Sequence, residues 1–332
     1  MKKETFLTFY CGRPRDERLS CAHITASSNL YTTMNLRQGA TAAERDLMKT
    51  VVTEIANRRI QRDLFLVTVQ NKGGVQLKPC KSLGPRITWS TQQPTGFLTS
   101  AGTWQSLQCQ TSPLTTPQIS RCFQNTNFWL FGDSNAIRLK AAILRLLNPP
   151  ASCTGDQGKW VVNTTCTRAN LNFTLTFDPH EYHLHLGANF WPVYKGKGVA
   201  GHIDSIPRSG RYVVIVHYFL HTQSAHLAVV HRRLLKYKDA VQRAVVRNPN
   251  ITFAFRGPHV SSKEWPTNHS SGGDTLIVFY LQLIKDVFKD VMDHVVFLDG
   301  WGISVAIENQ YFHPPAEVPT AMIRLLLSYV CR

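Results

Sequence analysis

The chain has 332 residues, 43% of them hydrophobic, which is enough for one large domain or two ordinary ones with a real core and excludes a globally disordered chain. Its 37 Lys and Arg against 21 Asp and Glu leave a net charge of +16, which attracts anionic partners such as anionic glycans, acidic membrane surfaces or nucleic acid. No apolar run approaches a membrane span and no nucleic-acid module is recognisable, so neither a transmembrane segment nor a nucleic-acid partner is expected.

Residues 1–126 read as a loop-rich segment packed on the main domain. One helix pattern stands out, Thr41 to Arg62, with Leu47, Val51, Ile55 and Ile60 near helical spacing. Ser82 to Thr126 is rich in Gln, Thr, Ser, Pro and Gly, with Trp89, Trp104 and Cys109 as anchors. The cysteines, Cys11, Cys21, Cys80, Cys109, Cys122, Cys153, Cys166 and Cys331, fit neither a C-x-x-C pair nor a zinc spacing. Disulfides in an oxidising compartment are the better reading, with the pairing open. Four sequons, at Asn163, Asn172, Asn250 and Asn268, point the same way and are candidate glycosylation sites. Met1 to Thr5 has charge but no apolar run behind it, so no signal sequence is in view. A secreted protein with this start is expected to be a piece of a longer chain.

Residues 127–332 alternate strands and helices. Phe128–Phe131 reads as a short buried strand, and Asn135–Leu147 as a helix stopped by Asn148-Pro149-Pro150. Leu171, Phe173, Leu175 and Phe177 alternate as a half-buried strand does. Tyr212–Phe219 is a continuous apolar run suited to a central strand. Helix Val229–Val246, strand Ile251–Phe255, helix Leu276–Val291, strand Val295–Leu298 and helix Ala321–Tyr329 follow. The alternation predicts parallel βαβ units: an α/β three-layer sandwich with a mainly parallel sheet. In such sheets ligands bind beyond the carboxyl ends of the strands, where Ser134, Arg256 and Asp299 each follow a strand.

Gly132-Asp133-Ser134 follows a buried strand and opens a helix. That turn puts Ser134 among the free N–H groups of the helix head, which stabilise a developing oxyanion. Asp133 is expected to order the turn. A serine nucleophile needs a base, and His313, in a loop beyond the last strand, is the best candidate. A loop histidine rigidified by Pro314-Pro315 is the alternative. Asp299 and Glu308 are the candidates for the acid behind His313, and Asp299 is chosen because it ends a strand on the same sheet edge.

Phe131-Gly132-Asp133-Ser134, His231-Arg232-Arg233-Leu234-Leu235, Phe297-Leu298-Asp299-Gly300-Trp301 and His313-Pro314-Pro315, in this order, resemble the SGNH/GDSL hydrolases. The resemblance is closer still to the neurexophilin and PC-esterase domain (NXPE) family, and it covers most of the chain. It implies an acyl-ester site of O-acetyltransferase or O-acetylesterase type, working on glycans, sialic acid among them, in the Golgi lumen or outside the cell. Ser134 would be the nucleophile and His313 the base, with Asp133, Asn135, Arg138 and His221 lining the substrate pocket. No bound cofactor is implied; a transferase would use an acetyl donor such as acetyl-CoA as co-substrate. The partner would be a glycan or glycoprotein, anionic given the charge. The wider group carries Asp three residues before its catalytic His, where this chain has Gln310. That departure supports a second reading, a secreted glycan- or protein-binding module on a degraded site.

Two further patterns carry alternatives. His180, His183 and His185 read either as half-exposed histidines or as a zinc cluster, and no metal is expected. Arg232, Lys236, Arg243 and Arg247 recur along one helix, as a solvated face or as a landing strip for an anionic glycan.

Overall fold

The structure, a computed structural model, describes residues 77–90, 94–99, 101–111, 113–155, 162–180, 198–222, 227–260, 273–309 and 311–331. The expected helix Thr41–Arg62, Cys11 and Cys21, Asn268, His183, His185 and Gln310 lie outside them.

The first part comprises α1 (Cys80–Leu83), a 3-10 turn (Pro85–Trp89), and the antiparallel hairpin of β1 (Gly96–Leu98) and β2 (Trp104–Ser106). Next comes α2 (Thr116–Phe123), which opens with a capping box in which Thr115 and Gln118 satisfy each other's backbone. A disulfide, Cys80–Cys109, pins this layer, and Trp89 seals it onto the domain by donating its indole N–H to the Val295 carbonyl at 2.6 Å. Arg86 and Asp293 add an exposed bidentate ion pair.

The main unit is an α/β sandwich. Its strands are β3 (Thr126–Gly132), β4 (Ser152–Thr154), β5 (Thr164–Arg168), β6 (Phe173–Pro179), β7 (Arg211–His217), β8 (Ile251–Arg256) and β9 (Val295–Leu298). They form one seven-stranded sheet in the order β4-β5-β6-β3-β7-β8-β9, with β6 through β9 parallel and β4 and β5 antiparallel at one edge. The helices are α3 (Ser134–Leu144), α4 (Val199–Asp204), α5 (Leu227–Arg247), α6 (Gly273–Phe288), α7 (Gly300–Ala306) and α8 (Glu317–Val330).

Each face of the sheet has its own core, the usual consequence of burying both sides of a parallel sheet. One joins α3 and α8 to the sheet through Leu139, Ile143, Met322, Leu326, Phe128 and Phe173. The other joins α4, α5 and α6 through Ile203, Leu234, Tyr237, Tyr280, Val214 and Phe253. The strand β7 is therefore covered on both faces, which is why its sequence is a continuous apolar run rather than an alternation.

The helices and strands expected over residues 127–332 are present among the described residues, with ends shifted by a few residues. The β4–β5 pair was not expected. Thr164–Arg168 is polar and buries alternate positions, so it carries little apolar signal. The pair is instead crossed by a disulfide, Cys153–Cys166, at directly opposed register positions.

A third disulfide, Cys122–Cys331, joins the last turn of α2 to the residue just past α8 across a sequence separation of 209. Arg211, at the start of β7, donates to the carbonyls of Cys122 and Val330 that flank it. In a chain-entropy account, closing so long a loop stabilises by about 5 kcal/mol, against about 3 kcal/mol for the short Cys153–Cys166 loop. No helix among the described residues is long and apolar enough to cross a membrane.

Candidate active site

The Ser134 half is built by the β3–α3 turn. Gly132 ends the strand where a Cβ would stand 2.7 Å from the Ala136 Cβ and 3.1 Å from the His217 Cβ, so only glycine lets α3 and β7 close in. Asp133 is the N-cap of α3: its Oδ1 accepts from the Asn135 N–H at 2.7 Å, and it is fully buried. Ser134 is the first helical residue, half-buried, with its N–H outside the helix's own bond ladder.

The other half arrives from the loop before α8. The His313 Nε2 stands 2.7 Å from the Ser134 Oγ, a contact between residues 179 positions apart. Partial burial holds the His313 pKa below its ordinary value, and the Arg138 charge pushes it the same way; Asp133 opposes them and Arg256 adds to them. The ring is accordingly neutral at neutral pH and able to accept the serine proton.

Beneath this pair lies a buried polar cluster. The His217 Nε2 lies 3.5 Å from the Asp133 Oδ2, and its Nδ1 is 3.2 Å from the Arg256 carbonyl. Burial lowers the His217 pKa to about 4, so at neutral pH this is a neutral imidazole beside a carboxylate rather than an ion pair. Arg256, 1% exposed, carries the balancing charge; burial brings its pKa down only to about 10. His259, also fully buried, sits 3.5 Å from Arg256 Nη2 through Nδ1 and 2.9 Å from the Phe312 carbonyl through Nε2. Neither Arg256 nor His259 was singled out for this role from sequence, although Arg256 was placed at a strand's carboxyl end.

The remaining expected residues are placed as follows. Asp299 caps α7, accepting from the N–H groups of Trp301 and Gly302, and takes the Thr95 hydroxyl at 2.6 Å. It follows β9, at the far edge of the sheet and three strand spacings, roughly 14 Å, from β3. It also lines a cleft of about 640 Å³ with Thr95, Trp104 and Arg324, to which neither Ser134 nor His313 contributes. The structure thus gives its carboxylate other partners than the His313 ring. Among the described residues no carboxylate bonds the far nitrogen of that ring.

Arg138 is exposed one turn along α3 from Ser134, on the same face, and its charge reaches His313. Asn135 is fully buried, and its side-chain amide has no partner among the described residues. It therefore faces the interior rather than open solvent. His221 lies in the 3-10 turn Leu220–Thr222 beyond β7, its side chain outside the described part. Asn163, Asn172 and Asn250 are exposed, and the Asn172 amide donates to Asn125 Oδ1 at 2.9 Å.

The basic stripe on α5 is half committed to the fold. Arg243 forms a bidentate pair with Asp204, and Arg247 donates to the Ile203 and Ile206 carbonyls. Arg232 and Lys236 are exposed. His180 is buried edge-on against Tyr218, and the described residues hold no group of metal-ligating side chains.

One solved crystal structure aligns with 64% of this chain and 100% of its own length, at 14% identity and a TM-score of 0.34, too slight a likeness to bear on fold or function. Residues 104–331 match the family described as "NXPE family member 4-like, C-terminal domain", a span that takes in the whole sheet, Ser134, His313 and the polar cluster beneath them. The chain belongs to the NXPE family, whose C-terminal domain it carries.

Proposed function

We propose that this domain is a serine-dependent O-acylesterase or O-acyltransferase acting on glycan hydroxyls through an acyl-serine intermediate. The observation that carries the reading is the 2.7 Å contact between Ser134 Oγ and His313 Nε2 at the head of α3. As Oγ attacks an acyl carbonyl, His313 takes the serine proton and returns it to the departing alkoxide or thiolate. The N-terminal dipole of α3 and the Ser134 N–H favour the oxyanion. Water or a sugar hydroxyl then gives up its proton to His313 and releases the acyl group. Transfer differs from hydrolysis only in which hydroxyl reaches the intermediate, and it needs an acetyl donor such as acetyl-CoA.

The +16 charge supports an anionic glycan, sialylated chains included, as acceptor. The three disulfides and exposed sequons support a secretory-pathway location, in the Golgi lumen or outside the cell. A second reading, a binding module on a disarmed site, draws on the lack of a described carboxylate behind His313.

The test is a fluorophosphonate probe on the wild type, Ser134→Ala and His313→Ala. Labelling confined to the wild type is expected. A folded wild-type protein that also fails to hydrolyse acetyl esters would favour the binding module.

A further inference from the structure

The far nitrogen of His313 lacks a described acid, yet its near nitrogen is held at 2.7 Å from Ser134. Something else must fix the loop that carries it. Two buried side chains do so through its backbone. Asn309, 3% exposed, donates to the Val260 carbonyl at 2.5 Å and to the Tyr311 carbonyl at 2.8 Å. The second is His259, whose Nε2 lies 2.9 Å from the carbonyl of Phe312, the residue immediately before His313.

Protonation at His259 follows from its partners. A carbonyl can only accept, so Nε2 carries a hydrogen and donates it. Burial and the neighbouring Arg256 charge hold the ring's pKa well below its ordinary value, so the ring is neutral and Nδ1 keeps its lone pair. That lone pair faces Arg256 Nη2 at 3.5 Å, a group that can only donate. The opposite tautomer would set lone pair against carbonyl oxygen at one end and N–H against N–H at the other. Arg256 in turn is kept charged in the interior by Asp133, the residue beside the nucleophile. The Asp133 charge acting on Arg256, the approach of Arg256 to His259 and the His259 bond to the Phe312 carbonyl therefore link the Ser134 turn to the backbone of the His313 loop.

We propose that Arg256 and His259 are positioning residues for the base. Arg256 selects the His259 tautomer, and His259 clamps the Phe312 carbonyl so that the His313 ring stays against Ser134. The clamp fixes the base through its main chain, whereas a triad acid fixes it through its ring. The proposal rests on Ser134 and His313 acting together as read above.

The test uses the full chain as wild type, His259→Gln and His259→Leu. The Gln side-chain amide offers an N–H near the position of Nε2, while Leu keeps the bulk without a donor. Fluorophosphonate labelling at neutral pH is expected to slow about tenfold or more in His259→Leu and to stay within about threefold of wild type in His259→Gln. Equal rates in His259→Leu and wild type, or a Gln variant as slow as Leu, would overturn the proposal. If His259→Leu does not fold, imidazole nitrogen NMR of the wild type decides. A neutral His259 with its proton on Nε2 at neutral pH is expected; a proton on Nδ1 overturns the clamp. That measurement is independent of reactivity, so a wild type with the expected tautomer that neither labels nor hydrolyses acetyl esters would sink the nucleophile reading, and the positioning role with it, while leaving the His259–Phe312 bond in place.

Discussion

The two halves of the site are built by different physics. Ser134 is placed by consecutive residues: a strand end, a glycine that only close packing explains, and an aspartate that caps the helix. His313 is placed by an irregular loop whose carbonyls are gripped by side chains from elsewhere, Asn309 from within its own loop and His259 from the end of β8. A side chain on regular structure is positioned by local sequence. A side chain on a loop is positioned by long-range polar contacts, and its geometry depends on the protonation and charge of buried groups.

The largest way to break that contrast is Gly132→Ala. The new Cβ would meet the Ala136 Cβ at 2.7 Å, and α3 must shift to accept it. Overpacking of this kind costs about 2 kcal/mol. Displacement of Ser134 by an ångström is expected to slow fluorophosphonate labelling about 100-fold. A variant that labels like wild type would show that the strand-to-helix turn is not what holds the serine.

The second test acts on the polar floor under both halves. An unfolded chain protonates His217 near pH 6.5, while the folded protein refuses that proton until about pH 4. The contribution of His217 is therefore complete above pH 6.5 and is lost as pH falls toward 4, about 3 kcal/mol in all. Urea midpoints at pH 7, 5.5 and 4 should fall accordingly, and His217→Gln should flatten the fall. An unchanged slope in that variant would assign the acid sensitivity to the carboxylates instead.

The smallest effect sharpens the comparison. Arg138 is on the Ser134 helix but acts on His313, pushing its pKa down. In Arg138→Gln the pH midpoint of labelling should move up, toward an ordinary histidine. Added salt should move the wild-type midpoint the same way, because Arg138 is exposed and its field is screened. A midpoint insensitive to both would place the arginine away from the ring.

The sequence makes the Ser134 half legible and the His313 half only in outline. Phe128 to Ser134 shows its strand, turn and helix by pattern alone, and the alternation at Phe173, Leu175 and Phe177 shows its neighbour. Asp299 marks the limit. Its place at the carboxyl end of a strand is readable, but strand order is not, and β9 proves to be the sheet's far edge, where the carboxylate caps α7 and takes the Thr95 hydroxyl. His259 was invisible for a related reason. A buried histidine between an arginine and a backbone carbonyl has no periodicity, since its partners come from 3 and 53 positions away. The β4–β5 pair was hidden because its cysteines, rather than apolar side chains, fasten it.

The Cys122–Cys331 bridge gives the main unit the topology of a ring, since every strand of the main sheet lies between those two cysteines. A ring has no ends from which to fray: α8 cannot peel away and carry its half of the core with it. A single protease cut in any surface loop between the two cysteines would open the ring into a line without parting it into two molecules. Such a nicked protein would migrate as one chain until it is reduced, and only then as two.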